Sequence, residues 1–109
     1  MHTLSTKPVY TSGVASDILK INQKTIVNYE NAGLIKIQKN TGGRRLFSQR
    51  DLFDVLVIQW LIKDRGLNMK GIKLVNKLIQ TAEQEDIDLY TTILPESVRN
   101  KFISKVSIG

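Results

Sequence analysis

The sequence predicts a mainly α-helical fold with one small β-hairpin and additional helices toward the C-terminus. Three observations predict it. Apolar residues recur at helical spacing over most of the 109-residue chain, polar residues suited to N-caps precede those segments, and one glycine-containing stretch shows the two-residue alternation of a strand. The chain is 41% hydrophobic, and no apolar run approaches the ~20 residues that span a bilayer. We therefore expect one compact globular domain.

Two short helices open the fold. Thr11 or Ser12 can cap the segment GVASDILK, and Asn22 can cap QKTIVNYENA. Gly33 then ends the second helix as a left-handed residue. A tight turn separates the two helices, and residues 1–8 are predicted to form a flexible lead.

Residues 34–47 are predicted to form the hairpin. The segment LIKIQ alternates from Leu34 onward, and RLF at 45–47 can pair with it. Between them, Asn40, Gly42 and Gly43 are expected to supply the positive φ values of the loop. The turn type stays open.

Two longer helices follow the hairpin. Ser48 and Asp51 form a capping signal before LFDVLVIQWLI, so a helix is expected from about Gln49 to Arg65, with Gly66 ending it. Asn68 is the candidate cap of the next helix, MKGIKLVNKLIQTA.

The last quarter is less defined. The segment QEDIDLYTTIL mixes strand-like alternation with a possible helical pairing of Tyr90 and Leu94, and we leave it undecided. Pro95 suits the first turn of a final helix. This helix would carry one apolar stripe, which either packs back on the third helix or forms a dimer interface: Val98, Phe102 and Val106.

The residue inventory excludes several chemistries. With no cysteine and a single histidine, His2, the chain lacks thiolate nucleophiles, zinc-finger ligands, iron–sulfur ligands and a Ser-His-Asp arrangement. The acids between Glu83 and Asp88 fit no calcium loop and are interpreted as a solvated linker. We expect no enzyme activity, no metal and no cofactor. The N-terminus has no signal-peptide pattern, so the cytoplasm is the expected location.

The positive charge is concentrated in the first part of the chain. Residues 1–80 hold 13 Lys and Arg against 5 Asp and Glu, whereas residues 81–109 hold 3 against 5. A net +8 over 80 residues suits a polyanionic partner, because each phosphate that is neutralised releases counterions. Solubility alone is the competing explanation.

Helix, tight turn, helix and glycine-tipped hairpin is the order of a winged helix-turn-helix, which places its second helix in the DNA major groove and its hairpin beside the backbone. The start of the second helix, a position one turn further along it, and the hairpin then supply the candidate contacts. Those on the helix are Asn22, Gln23, Lys24, Thr25 and Asn28. Those on the hairpin are Lys39, Gly43, Arg44 and Arg45.

Three segments at matching intervals resemble the DNA-binding domain of MerR-type transcriptional regulators: PVYTSGVASDILKINQKTIVNYENAGLI, TGGRRLFSQRDL and RGLNMKGIK. The resemblance covers about two thirds of the chain. It is most similar to the short heat-shock repressor and glutamine-metabolism repressor branches. It implies a DNA-binding domain over residues 9–80 and a C-terminal tail over residues 81–109.

The resemblance also implies individual roles. Tyr29 falls where the family has a phosphate-contacting tyrosine, and Arg45 where it has the arginine of the wing. Thr25 matches the family's threonine, Glu30 matches a glutamate that we interpret as structural, and Phe47 matches the aromatic that anchors the wing. The structural positions that follow the recognition helix are Leu34 and Ile35.

The sequence departs from the family at two positions of the recognition helix. Val27 stands where the family usually has Arg, and Asn28 where it often has Tyr. A cationic phosphate contact is therefore missing, for which Lys24 and Arg44 can compensate. The tail holds Pro95 and no sustained heptads, so the family's long dimerisation coil is absent or much shortened.

The leading hypothesis is a sequence-specific DNA-binding transcriptional regulator that represses as a homodimer. The C-terminal tail is the expected contact for any protein partner. Two alternatives share the fold. One is an adaptor similar to small chaperone-modulator proteins, and the other is an excisionase-like factor that bends DNA. The arginines and the basic first part of the chain favour DNA over the adaptor.

Overall fold

A computed structural model describes residues 4–89 and 94–107 of the chain. Residues 1–3 of the predicted lead and Tyr90 therefore lie outside the described residues. The helices are α1 (Ser12–Leu19), α2 (Gln23–Asn31), α3 (Gln49–Lys63), α4 (Met69–Gln84) and α5 (Glu96–Ser107). The strands are β1 (Tyr10–Thr11), β2 (Gln38–Lys39) and β3 (Arg45–Phe47).

The chain divides into two compact units, one that ends at Gln59 and one that begins at Trp60. In the described residues, no helix is long and apolar enough to cross a membrane.

Side-chain caps begin both short helices of the first unit, as the sequence predicts. Thr11 Oγ1 accepts a hydrogen bond from the Val14 N–H at 3.3 Å, and Asn22 Oδ1 accepts one from the Lys24 N–H at 2.8 Å. Between the helices, Lys20 adopts a left-handed φ of 57°. The reversal therefore takes only three residues, 20–22.

Gly33 ends α2 in the predicted left-handed conformation, with a φ of 79°. Its N–H bonds to the Glu30 carbonyl at 3.0 Å, and the Leu34 N–H bonds to the Tyr29 carbonyl at 3.0 Å. These two bonds form a Schellman motif, which satisfies carbonyls that the helix end would leave unpaired.

The hairpin differs from its prediction because its first strand is shorter. Pairing begins at Gln38 and not at Leu34, since β3 has three residues and pairs only Arg45 and Leu46 with β2. Leu34 instead donates its N–H to the Tyr29 carbonyl at the end of α2. Residues 35–37 belong to no strand, although their apolar alternation resembles one.

The sequence interpretation missed β1, which makes the sheet three-stranded in the order β1-β3-β2. Tyr10 pairs with Phe47 and Thr11 pairs with Leu46, both antiparallel. The Val9 N–H adds a bond of 3.0 Å to the Phe47 carbonyl. Two residues are too short to show an alternating pattern, so β1 had no periodic signal.

Only Gly43 of the three predicted loop residues has a positive φ, at 80°. The prediction for Asn40 and Gly42 is therefore wrong. Residues 40–43 form a turn closed by the Gly43 N–H on the Asn40 carbonyl at 3.0 Å. A type I turn uses right-handed angles at its central residues, and only the bulge residue that follows requires the left-handed region.

The core of the first unit lies between its helices and the sheet. Phe47 is 1% exposed, and its burial anchors β3. Near the N-terminus, Ser5 bonds to the start of α3: its N–H donates to Gln49 Oε1 at 3.1 Å and its carbonyl accepts from the Arg50 N–H. The buried apolar residues of this unit are Ala15, Leu19, Ile21, Ile26, Tyr29, Leu34, Ile37, Phe47, Leu52, Phe53, Val55, Val57 and Ile58.

The predicted capping signal at the start of α3 is confirmed. The Asp51 N–H donates to Ser48 Oγ at 3.0 Å, and the Ser48 N–H donates to Asp51 Oδ2 at 2.9 Å. This reciprocal pair is a capping box. The helix ends at Lys63, two residues before the predicted end, and Gly66 follows with a φ of 67°.

The second unit contains α4 and α5. Asn68 caps α4 as predicted, because its Oδ1 accepts from the Gly71 N–H at 2.9 Å. The helix continues to Gln84, two residues beyond the predicted segment. Pro95 immediately precedes α5 and is bonded into its first turn as the N-cap residue, because its carbonyl accepts from the Val98 and Arg99 N–H groups. The buried apolar residues of this unit are Leu61, Ile72, Ile79, Leu94, Phe102 and Val106.

Candidate nucleic-acid interface

Helix α2 exposes most of the predicted groove contacts. Gln23, Lys24 and Asn28 are exposed, while Thr25 and Val27 are half-buried. Ile26 and Tyr29 occupy the buried side of the same helix. The alternation of buried and exposed positions at helical spacing leaves one polar face, and Asn22, also exposed, lies at its N-terminal end.

The tip of the hairpin is organised by Asn40. Its Oδ1 accepts from the Gly42 N–H at 2.9 Å and from the Arg44 N–H at 3.1 Å. The Asn40 N–H in turn donates to the Arg44 carbonyl at 2.9 Å. Sequence reasoning missed this function, although asparagine at the first position of a type I turn was the available signal.

The two arginines of the hairpin have different environments. Arg44 is exposed, and within residues 4–89 and 94–107 its side chain has no hydrogen-bonded partner. Arg45 is half-buried, and its Nε donates to Glu30 Oε1 at 2.7 Å. The side chains of Arg45 and Glu30 are 26% and 16% exposed. This ion pair links the hairpin to α2 and gives Glu30 a structural role, whereas Arg44 presents its guanidinium at the surface.

Tyr29 lies mostly inside the first unit, with 7% of its surface exposed. Its hydroxyl donates to Gln59 Oε1 on α3. Burial raises the pKa of this hydroxyl above its ordinary value of 10.0, because the phenolate would lose its hydration. In this conformation the Tyr29 O–H is already engaged.

A cleft of about 500 Å³ separates the first turn of α1 from the hairpin. Backbone N–H groups at a helix N-terminus and guanidinium groups both attract anions. Sequence reasoning did not include the residues of α1 at this cleft, whose only signal was the N-cap preference of Thr11. The lining residues are Thr11, Ser12, Gly13, Asn40, Gly43, Arg44, Arg45 and Leu46.

Lys39 is exposed on β2, directly opposite Arg45 on β3. The predicted contacts thus fall into two groups within one unit, the α2 set and the hairpin set, and the Glu30–Arg45 pair connects them. In the part of the chain that the structure describes, no group of three or more His, Asp or Glu side chains is placed to hold a metal ion.

The helix-turn-helix of α1 and α2, followed by an arginine-bearing hairpin, defines a winged helix-turn-helix of the DNA-binding class. Residues 10–77 match the MerR HTH family regulatory proteins. Since this match covers more than half of the chain, the chain belongs to the MerR family, as the sequence resemblance implies.

Two relatives illustrate the similarity. The HTH-type transcriptional regulator GlnR of Bacillus anthracis is 38% identical over 68 residues, which cover 62% of this chain and 52% of GlnR. The putative heat shock protein HspR of Streptomyces coelicolor is 32% identical over 71 residues, which cover 65% of this chain and 47% of HspR. The chain spans about half the length of these relatives.

The fold is also similar to a solved structure, the crystal structure of HiNmlR, described as a MerR family regulator lacking the sensor domain, bound to promoter DNA. The TM-score is 0.62 at 23% sequence identity, and the match covers 91% of this chain and 70% of HiNmlR. This likeness confirms the predicted winged helix-turn-helix fold.

Proposed function

We propose that this chain binds double-stranded DNA sequence-specifically and regulates transcription as a repressor, without enzymatic activity, in the cytoplasm. The observation that carries the proposal is that the polar face of α2 and the arginine-bearing hairpin belong to one unit, in which the Glu30–Arg45 pair joins them. Membership of the MerR family supports it, as does the promoter DNA bound to HiNmlR.

In this proposal α2 enters the major groove with its N-terminal residues toward the base edges. An α-helix fits the ~12 Å groove, and its positive dipole end favours the phosphates beside it. Gln23, Thr25 and Asn28 are the residues that we assign to base contacts. Asn22 and Lys24 are assigned to the backbone, which gives affinity without sequence information.

The hairpin contacts the flanking backbone. Arg44 supplies an exposed guanidinium for a phosphate, and Lys39 and the Gly43 backbone belong to the same hairpin. Arg45 is held at its Nε by Glu30, which partly compensates its charge. The cleft beside α1 is the natural place for one phosphate oxygen.

Tyr29 is the weakest member of the predicted contact set. Its hydroxyl already donates to Gln59, so a phosphate contact requires that this bond be exchanged. We assign it a positioning function, with phosphate contact as the second step of binding.

Two copies of the chain would act together. Winged modules gain affinity and specificity when a dimer occupies two half-sites that are one helical turn or a multiple apart. Occupation of a promoter by such a dimer gives repression. The same proposal includes a protein partner that binds the C-terminal tail, residues 81–109.

Selection of binding sites from random duplexes, followed by salt titration on the selected site, tests the proposal. Arg44→Ala should weaken all duplexes alike and reduce the salt slope by about one unit, because one phosphate contact is lost. Asn28→Ala should instead change the preferred sequence. Lys101→Ala, on an exposed lysine of α5, is the control and should leave both unchanged. No duplex binding in dilute salt, or equal effects of Arg44→Ala and Lys101→Ala, would refute the proposal and favour the adaptor alternative.

A further inference from the structure

The side of α2 that points away from the core is formed by four side chains. Residues 24, 27, 28 and 31 follow the spacing i, i+3, i+4 and i+7, which places them on one face of a helix. On this face Lys24, Asn28 and Asn31 are exposed and Val27 is half-buried. We call Lys24, Val27, Asn28 and Asn31 the outer face of α2.

The fold makes no use of the side-chain amide of Asn28. Asn22 and Asn68 each cap a helix through their Oδ1 atoms. Within residues 4–89 and 94–107, the Asn28 amide has no hydrogen-bonded partner. Asparagine is also unfavourable inside a helix, because its amide bonds to the backbone more readily in other conformations. The donor and the acceptor of Asn28 are therefore available to a molecule outside the chain.

Val27 places an apolar group directly beside Asn28. Valine is β-branched and is not preferred in helices, and its half-buried side chain leaves part of its methyl surface at the solvent. Consecutive Cα atoms are about 3.8 Å apart, close to the rise of about 3.4 Å between successive base pairs of DNA. Val27 and Asn28 are thus spaced to contact neighbouring base pairs.

The chemistry of these two side chains matches one kind of base pair. In the major groove, adenine presents the N6 donor and the N7 acceptor, which an asparagine amide can bond together. Thymine presents the C5-methyl group, which apolar side chains contact. Arginine, the usual partner of guanine, does not occur in α2. The outer face therefore favours A·T pairs over G·C pairs.

We propose that Asn28 bonds to the N6 and N7 edge of an adenine and that Val27 contacts the methyl group of a thymine at a neighbouring base pair. The half-site under α2 then contains consecutive A·T pairs. This inference rests on the DNA-binding function proposed above and names the bases that are recognised. Val27 becomes a specificity-determining residue, while Lys24, one turn nearer the N-terminus, remains assigned to the backbone.

Selection of sites from random duplexes tests the bases. The wild-type sites should hold two adjacent A·T pairs, and Asn28→Ala should lower the preference for adenine at one of them by about 5-fold to 100-fold. Asn100→Ala, an exposed asparagine of α5, is the matched control and should keep the wild-type preference. A G·C pair at the position that Asn28→Ala alters, or an equal loss of affinity for all duplexes, would overturn the proposal.

Modified bases in the selected duplex test the individual atoms. Replacing the adenine by 7-deazaadenine removes the N7 acceptor but keeps Watson–Crick pairing, so it should weaken the wild type and leave Asn28→Ala unaffected. Replacing the thymine by uracil removes one methyl group and should weaken the wild type about fourfold, but not Val27→Ser.

The modified duplexes test the wild-type chain itself, so the result does not depend on the folding of a variant. A loss that is equal in the wild type and in the matching variant, or no loss in either, would overturn the contact concerned. Both outcomes leave duplex binding and its dependence on Arg44 intact, so they differ from failure of the proposed function. A wild-type chain that binds no duplex in dilute salt would overturn the two proposals together.

Discussion

The Glu30–Arg45 pair provides a quantitative test of how the wing is attached. We expect Glu30→Gln to lower the free energy of unfolding, because Gln keeps an oxygen near Arg45 Nε but removes the charge. The 2.7 Å separation and the low exposure of both side chains identify this as a charge-assisted hydrogen bond in a partly desolvated place.

The magnitude lies between two limits. Fully exposed ion pairs contribute about 0.2–1 kcal/mol, and hydrogen bonds to charged groups contribute about 1.5–3 kcal/mol. The side chains of Glu30 and Arg45 are 16% and 26% exposed, so the pair belongs between these limits. We expect a coupling free energy of about 1–2 kcal/mol.

Urea unfolding of the wild type, Glu30→Gln, Arg45→Gln and the double variant gives this coupling as a double-mutant cycle. The Arg50–Asp54 pair is the internal control. It is a helical i,i+4 pair at 3.1 Å whose side chains are 29% and 32% exposed, and it should contribute about 0.3–0.5 kcal/mol. If the Glu30–Arg45 coupling does not exceed that of the control pair, the wing is not held to α2 by this contact.

Three further predictions concern Tyr29, Gly43 and Asn68. Tyr29→Phe should cost about 0.5–1.5 kcal/mol at neutral pH, through loss of the bond to Gln59. Because the pKa of Tyr29 is raised in the folded state, the free energy of unfolding of the wild type should also fall as the pH rises above 10.0, and the Phe variant should lack that part of the fall. Parallel curves of stability against pH for the two proteins would contradict this. Gly43→Ala should lower the free energy of unfolding by about 1–2 kcal/mol through backbone strain alone, since no atom lies within 4 Å of the added Cβ, and it should weaken DNA binding. Gly42→Ala is the control and should cost less, because Gly42 has no positive φ. Equal losses of stability for the two variants in urea unfolding would refute the argument. Asn68→Ala should cost about 1 kcal/mol through loss of the α4 cap, measured by thermal unfolding, and Asn68→Ser should largely restore it.

Local signals in the sequence predicted the helix boundaries well. Thr11, Asn22 and Asn68 cap helices because a side-chain oxygen beside free N–H groups needs no distant partner. Gly33 ends α2 for a similarly local reason, since only glycine adopts the left-handed region without cost. These features are determined within a few residues of the chain.

The sheet was less predictable because strands need partners from elsewhere in the chain. The alternation that begins at Leu34 resembles a strand, yet β3 pairs with this segment only from Gln38 onward. The two residues of β1 form a strand only because Phe47 and Leu46 lie beside them. No periodic pattern in the sequence reports which distant backbone will be adjacent.

The sequence by itself determined the order of helices and hairpin, the family, and the polar and basic residue types of α2 and the hairpin, because these depend on local caps, periodicity and motif spacing. Only the tertiary structure decided how those residues are used. Arg44 and Arg45 are neighbours of identical chemistry, but Arg44 is exposed just before β3, whereas Arg45, the first residue of β3, bonds to Glu30. Burial and pairing are properties of the folded surroundings, and they separate a free surface charge from a structural one.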